Sequence, residues 1–161
     1  MSQKTTCTRN IQFDAGHRVF KHQGKCKNLH GHRYSVDITV SAESLNELGM
    51  IADFSCLKEL CGGWIDKNWD HKFLYYERDS EISTVLNGFH GRSEFKDFSS
   101  SFVKLEFNPT AENMSVFLLE KFQKLLSPQN IKVMSVLVRE TPNCWSLTES
   151  VVYASLVKNG K

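Results

Sequence analysis

The sequence predicts an α+β fold, an antiparallel sheet of four strands with two helices on one face. Three observations carry this. Residues 33–40 alternate strictly between polar and apolar, the period of a strand with one buried face. Two later stretches repeat apolar residues at helical spacing, each behind a helix-starting signal. The segments follow one another as β-β-α-(β)-α-β-β, with no internal repeat, linker or low-complexity tract.

A first strand is expected over 5–13, where Cys7, Arg9, Ile11 and Phe13 alternate with Thr6, Thr8, Asn10 and Gln12. It runs toward Ala15 and His17, which share the parity of Phe13. A Lys/Gly-rich loop covers 18–29. The second strand covers 30–42, with Tyr34, Val36, Ile38 and Val40 on its apolar side. Carrying that parity backwards puts His32 and His30 on the same side, and the two strands would be antiparallel neighbours. Asp53 suits an N-cap, and Phe54, Leu57, Leu60, Cys61, Trp64 and Ile65 form the stripe of the helix behind it. Gly62-Gly63 weakens this helix, which yields to WDHKFLYY near Asn68. Residues 77–101, polar and Ser-rich, read as a long connection with a short helix near 81–87. A short strand is expected over 102–107. Asn108-Pro109-Thr110 starts the second helix, with Pro tolerated in the first turn. Its stripe is Met114, Phe117, Leu118, Phe122, Leu125 and Leu126, joined by the Lys121 stem, and Ser127-Pro128 ends it. Two further strands are expected over 131–140 and 145–154.

The 161 residues make one domain, 1–161, large enough for a real core. No apolar run approaches the roughly 18–20 residues of a membrane helix, and MSQKTTCTRN lacks the apolar centre of a secretory signal. Five cysteines without framework spacing fit a reducing compartment, so a cytoplasmic protein without membrane contact is expected. A net charge of +2 does not imply nucleic-acid binding. The charge is uneven, however. Arg18, Lys21, Lys25, Lys27 and Arg33 lie between Ala15 and Val36 with no acid among them. They form either a solvated loop or an electropositive mouth for an anionic small molecule.

Histidines two apart on a strand point the same way, so His30 and His32 can reach one ion. His17, at the end of the neighbouring strand with inward parity, is the natural third ligand. Catalytic zinc sites take three such ligands and keep a position open. His22 and His90 sit in polar loops and are left out, while Cys7, Cys56, Cys61 and Cys144 read as small buried hydrophobes. Cys26 lies between Lys25 and Lys27, and neighbouring cations favour thiolate. It is either a fourth zinc ligand or a reactive base or nucleophile. Asp70-His71 has the composition of a proton relay, although adjacent residues on a regular strand rarely bond to each other. Glu140 closes the apolar row Met134, Val136, Val138. There it needs a cationic or multi-donor partner, such as an amidine-like ligand edge.

Taken together, FDAGH (13–17), CKNLHGH (26–32), MIADFSCLK (50–58), WDHKFL (69–74), NPTAEN (108–113) and VLVRET (136–141) resemble the 6-pyruvoyl- and 6-carboxy-tetrahydropterin synthase family, in family order over nearly the whole chain. The resemblance implies the tunnelling fold, whose subunits associate into barrels, commonly homohexamers with active sites between subunits. It implies that His17, His30 and His32 hold Zn2+ and that Cys26 is the general base. Asp70 and His71 would complete the proton-transfer group, serving a neighbour's Cys26. Glu140 would anchor the pterin, helped by Thr110 and Glu112. The implied substrate is 7,8-dihydroneopterin triphosphate, whose triphosphate the basic loop would attract. Three residues separate Cys26 from His30, a spacing like that of the bacterial 6-carboxy enzymes of the queuosine pathway. The 6-pyruvoyl synthases tend to have a longer gap and are the alternative. A further alternative is a non-catalytic zinc module closed by Cys26 and the three histidines. Two departures stand out: residues 75–106 are longer than in compact bacterial members, and Trp145 and Leu147 occupy positions where small residues are expected.

Overall fold

The computed structural model describes residues 5–151. Its strands are β1 (Cys7–His17), β2 (His30–Ser41), β3 (Lys72–Tyr76), β4 (Phe102–Leu105), β5 (Lys132–Thr141) and β6 (Cys144–Glu149). They form one sheet in the order β4-β3-β1-β2-β5-β6. The expected α+β class holds, but the sheet has six strands rather than four and is mixed: β3 runs parallel to both β1 and β4. Lys72–Tyr76 escaped the sequence reading because Leu74 and Tyr75, neighbours on opposite faces, are both buried, which erases the alternation. Part of the fourth expected strand, 152–154, lies outside the described residues.

β1 and β2 pair antiparallel without a slip from Cys7↔Val40 to His17↔His30. Their inward sets therefore face each other, Phe13 opposite Tyr34, Ala15 opposite His32 and His17 opposite His30. The Phe13 and Tyr34 rings stack at 5.1 Å. Burial keeps its period of two through Ala15 and His17, which is why β1 runs past residue 13.

The first helical stretch divides into α1 (Phe54–Leu57), a π-helical turn (Lys58–Gly62) and α2 (Gly63–Asn68). Asp53 caps it, accepting from the Ser55 amide at 2.7 Å, and the wide turn falls where the glycine pair weakens the helix. In the long connection, α3 (Ser80–Gly88) supplies the expected short helix, and α4 (Lys96–Ser100) a second. Phe89, Phe95, Phe98 and Phe102 cluster there, with ring centroids 4.4 Å (Phe89–Phe95), 5.3 Å (Phe89–Phe98) and 5.1 Å (Phe98–Phe102) apart. α5 (Ala111–Leu126) is capped by Thr110, so Pro109 precedes the helix rather than sitting in its first turn. Met114, Leu118, Phe122 and Leu126 pack against Val36, Ile38, Val136 and Val138, all fully buried. Each such side chain contributes about 1.5–3 kcal/mol of hydrophobic stabilisation. All five cysteines are free; Cys61 is buried as expected, whereas Cys144, which opens β6 just after a turn, is exposed. Among the described residues no helix is long and apolar enough to cross a membrane.

Candidate active site

The unslipped β1–β2 pairing brings His17, His30 and His32 together on the helix side of the sheet. Ring centroids lie 4.4 Å (His17–His30), 5.2 Å (His17–His32) and 5.1 Å (His30–His32) apart. One ligand atom from each falls within 4.8 Å of the other two. His17 Nδ1 lies 2.6 Å from the Pro109 carbonyl oxygen and His30 Nδ1 2.7 Å from that of Asn28. A carbonyl only accepts, so in both rings Nδ1 carries the proton and Nε2 presents a bare lone pair. The Nε2 of His17 is buried and has no hydrogen-bond partner among the described residues. Such an orphan is costly unless something else binds it. Burial pushes the His17 pKa down to about 4, opposed by the bond to Pro109 and reinforced by His30 and His32. The His32 pKa is lowered too, by burial and then by His30. Three imidazoles whose nitrogens converge, two of them oriented by backbone carbonyls, suit zinc.

A depressed histidine pKa has a signed consequence. The neutral form is favoured by folding, so its contribution is complete above the ordinary value of 6.5 and is lost as pH falls toward about 4. In chelator-treated protein the urea midpoint should therefore decline across that window. His17→Ala should flatten the decline.

Cys26 is exposed in a tight turn, Lys25–Lys27, and does not belong to the group of mutually close ligand atoms. The expected ring of cations around it is smaller than the sequence suggests. Arg18 is taken up by Asp79, through Nε at 2.6 Å and Nη2 at 2.8 Å, and by Glu81 at 2.7 Å. Arg33 reaches Asp14 at 3.4 Å. Lys21, Lys25 and Lys27 are the exposed cations of the loop.

Asp70 and His71 do bond to each other, Nδ1 to Oδ2 at 2.8 Å. The regular-strand objection does not apply because His71 is in the left-handed region, φ 57°. Asp70 also accepts from the Asp14 amide at 2.9 Å. The bond to Asp70, then its charge, raises the His71 pKa. For Asp70 burial pulls upward, but the bonds from Asp14 and His71 outweigh it and the pKa is lowered. His71 opens onto a hollow of about 770 Å³ lined also by Asp14, Gly16, Arg33 and Phe73, and by His30 and His32. Asp14 and Gly16, which line it, have the parity opposite to Ala15 and His17 on β1. The hollow beside His71 is thus shared with two of the three imidazoles, while the buried His17 is not part of its lining.

Glu140, at the end of β5, stands 4.0 Å from His17 Nε2. Burial raises its pKa, with the charge of Glu112 adding and His30 opposing. With His17 neutral, this half-buried carboxylate has no ion-pair partner among the described residues. Thr110 caps α5 by accepting from the Asn113 amide at 3.3 Å, and Glu112 lies in the first turn of that helix, near Glu140. The sequence reading missed two contributors next to them. Pro109 orients His17 through its carbonyl, and the Asn108 side chain accepts from Phe20 N at 2.8 Å and donates to Phe20 O at 3.2 Å. The only sequence signal for either is the Asn-Pro-Thr run before the helix.

A family model described as 6-pyruvoyl tetrahydropterin synthase matches residues 6–150. The chain is 43% identical over 140 residues to the 6-carboxy-5,6,7,8-tetrahydropterin synthase of Rickettsia bellii, covering 86% of this chain and 96% of that protein. It is 31% identical to the Haemophilus influenzae protein of the same name, over 84% and 92% of the two chains. Among solved structures, an uncharacterized protein of Wolinella succinogenes superposes with a TM-score of 0.83 at 26% identity, covering 92% of this chain and 99% of that one. The 6-pyruvoyl tetrahydropterin synthase of Caenorhabditis elegans superposes at 0.64, with 24% identity over 92% and 96%. The helix-backed sheet is thus the tunnelling fold, and the chain belongs to the 6-pyruvoyl tetrahydropterin synthase family.

Proposed function

We propose that the protein is a zinc-dependent lyase of the queuosine pathway. It would convert 7,8-dihydroneopterin triphosphate to 6-carboxy-5,6,7,8-tetrahydropterin, releasing acetaldehyde and triphosphate. The observation that carries the reading is the convergence of three imidazoles on one point, with a buried, unpartnered Nε2 on His17. Relatives at 40–43% identity, named 6-carboxy-5,6,7,8-tetrahydropterin synthase, support the choice of product. His17, His30 and His32 would hold the ion, which when bound supplies Lewis acidity to the side-chain hydroxyls of the substrate. Cys26, outside the ligand cluster, is the base that takes a carbon-bound proton. That position argues against a closed structural module in which sulfur seals the ion.

Asp70 and His71, which are not among the close ligand atoms of the triad, would serve the Cys26 of a second copy. Association into a homohexameric barrel has two supports. Among the described residues β3 pairs with only Ala15–His17 of β1, and no other strand pairs with the Cys7–Phe13 stretch on that side. At the far edge of the sheet, Trp145 and Leu147 of β6 are 55% and 52% exposed, apolar surface that a partner would cover. Lys21, Lys25 and Lys27 attract the triphosphate. With its thiols free, the enzyme belongs in the reducing cytoplasm.

Glu140 accepts the adjacent N–H groups of the pterin, the donor pair its environment lacks. Glu140→Ala is expected to weaken pterin binding by about 10–1000-fold, the loss of a charge-assisted bidentate contact worth roughly 1.5–4 kcal/mol. Zinc content should stay unchanged. Calorimetric titration with a pterin, beside metal analysis, reads both, and unchanged affinity would remove the anchor. The reaction itself is tested by incubating zinc-loaded protein with 7,8-dihydroneopterin triphosphate and identifying the products. Acetaldehyde with a 6-carboxy pterin is expected. A 6-pyruvoyl pterin would instead assign the other synthase activity.

A further inference from the structure

The loop that carries Cys26 has almost no packing of its own. Every residue from 21 to 29 is exposed, so hydrophobic burial does not set its position. The ties it has are polar and concentrated at one end. Inside the loop, Val19 N donates to the Cys26 carbonyl at 2.8 Å, closing a ring between residues 19 and 26. Val19 stands between two residues that are each tied to a distant part of the chain. Phe20 is gripped through both backbone groups by Asn108. Arg18 is gripped by Asp79, which is fully buried and bonds both Nε and Nη2, with Glu81 adding a contact to Nη2. The carboxylate of Asp79 is itself held, because Oδ1 accepts the Glu81 and Ile82 amides at 3.1 Å as the cap of α3. The chain of contacts therefore runs from a helix cap, through a two-point guanidinium–carboxylate pair, to Arg18, Val19 and the Cys26 backbone.

We propose that Asp79 is a positioning residue for Cys26: the start of the long segment between β3 and β4 serves as a fixed mount for the loop that carries the base. The idea rests on the reading of Cys26 as the base and gives residues 79–81 a part in the reaction. A proton acceptor on an exposed loop must be kept within hydrogen-bond reach of its carbon. A two-point bond between planar groups restricts rotation as well as distance, which a single-point lysine contact would not do. The buried carboxylate also consumes the charge of Arg18, so this cation works as a structural pin and leaves triphosphate attraction to the lysines.

The test is Asp79→Asn in the zinc-loaded full chain, with Arg18→Gln as the second variant because it leaves the α3 cap intact. Amide hydrogen exchange in peptides covering 18–27 should accelerate by about tenfold or more, with β2 and β5 unchanged, as local opening without global unfolding requires. Turnover number should fall by roughly 10–100-fold, the scale of a misplacement of about 1 Å. KM should move less than about threefold and zinc content not at all, because the lost interaction orients the base and binds neither substrate nor metal. A merely structural pair would lower thermal stability and leave loop exchange and turnover number as in the parent at a temperature well below unfolding. Unchanged loop exchange in both variants would overturn the mount. Accelerated exchange with parental turnover would overturn its part in catalysis. Full activity of Cys26→Ala would instead refute the base on which the idea rests, which keeps the two failures distinct.

Discussion

Cys26→Ala is expected to retain zinc and lose turnover, with a fall of about 10²–10⁴-fold, the usual contribution of a positioned general base. Metal retention follows from geometry, because the mutually close ligand atoms belong to three histidines and Cys26 is not among them. Structural cost should be small. The side chain is exposed, and the residue's tie to Val19 uses the backbone carbonyl, which alanine keeps. Metal analysis and steady-state rates on the same preparation read both halves. Zinc lost together with activity would make Cys26 a ligand and return the closed module to favour.

His30→Ala should do the opposite, losing metal first and activity as a result. Three ligands leave no spare, and even an outer-shell partner of a metal site is worth about 10–100-fold in affinity, so a loss of more than about 100-fold is expected. The fold should survive. The core of Val36, Ile38, Leu118 and Phe122 lies further along the sheet and does not depend on the imidazoles. Competition with a chelator, paired with a thermal melt, measures the two effects. Global unfolding on metal removal from the parent protein would contradict an open catalytic site, since folding that depends on metal is the mark of a closed structural one.

The triad was legible because β1 and β2 obey a period of two and pair without a bulge, so parity alone placed three side chains on one face. Asp53 was legible through capping chemistry, which acts within three residues. What escaped depends on distant partners or on backbone. β3 is buried on both faces and pairs with strands remote in sequence, so no local alternation announces it. The Asp70–His71 bond needs a left-handed residue that no glycine or asparagine advertises. Arg18 looked like a free cation because the acid that takes it lies 61 residues away. The Pro109 carbonyl that fixes the tautomer of His17 has no side-chain signature at all.

X-ray absorption at the zinc edge of the loaded protein tests the central claim most directly. Three imidazole nitrogens with one exchangeable oxygen, all near 2.0–2.1 Å, are predicted, with no scatterer at the roughly 2.3 Å of a zinc–sulfur bond. A sulfur in the coordination sphere, or fewer than three imidazoles, would contradict it.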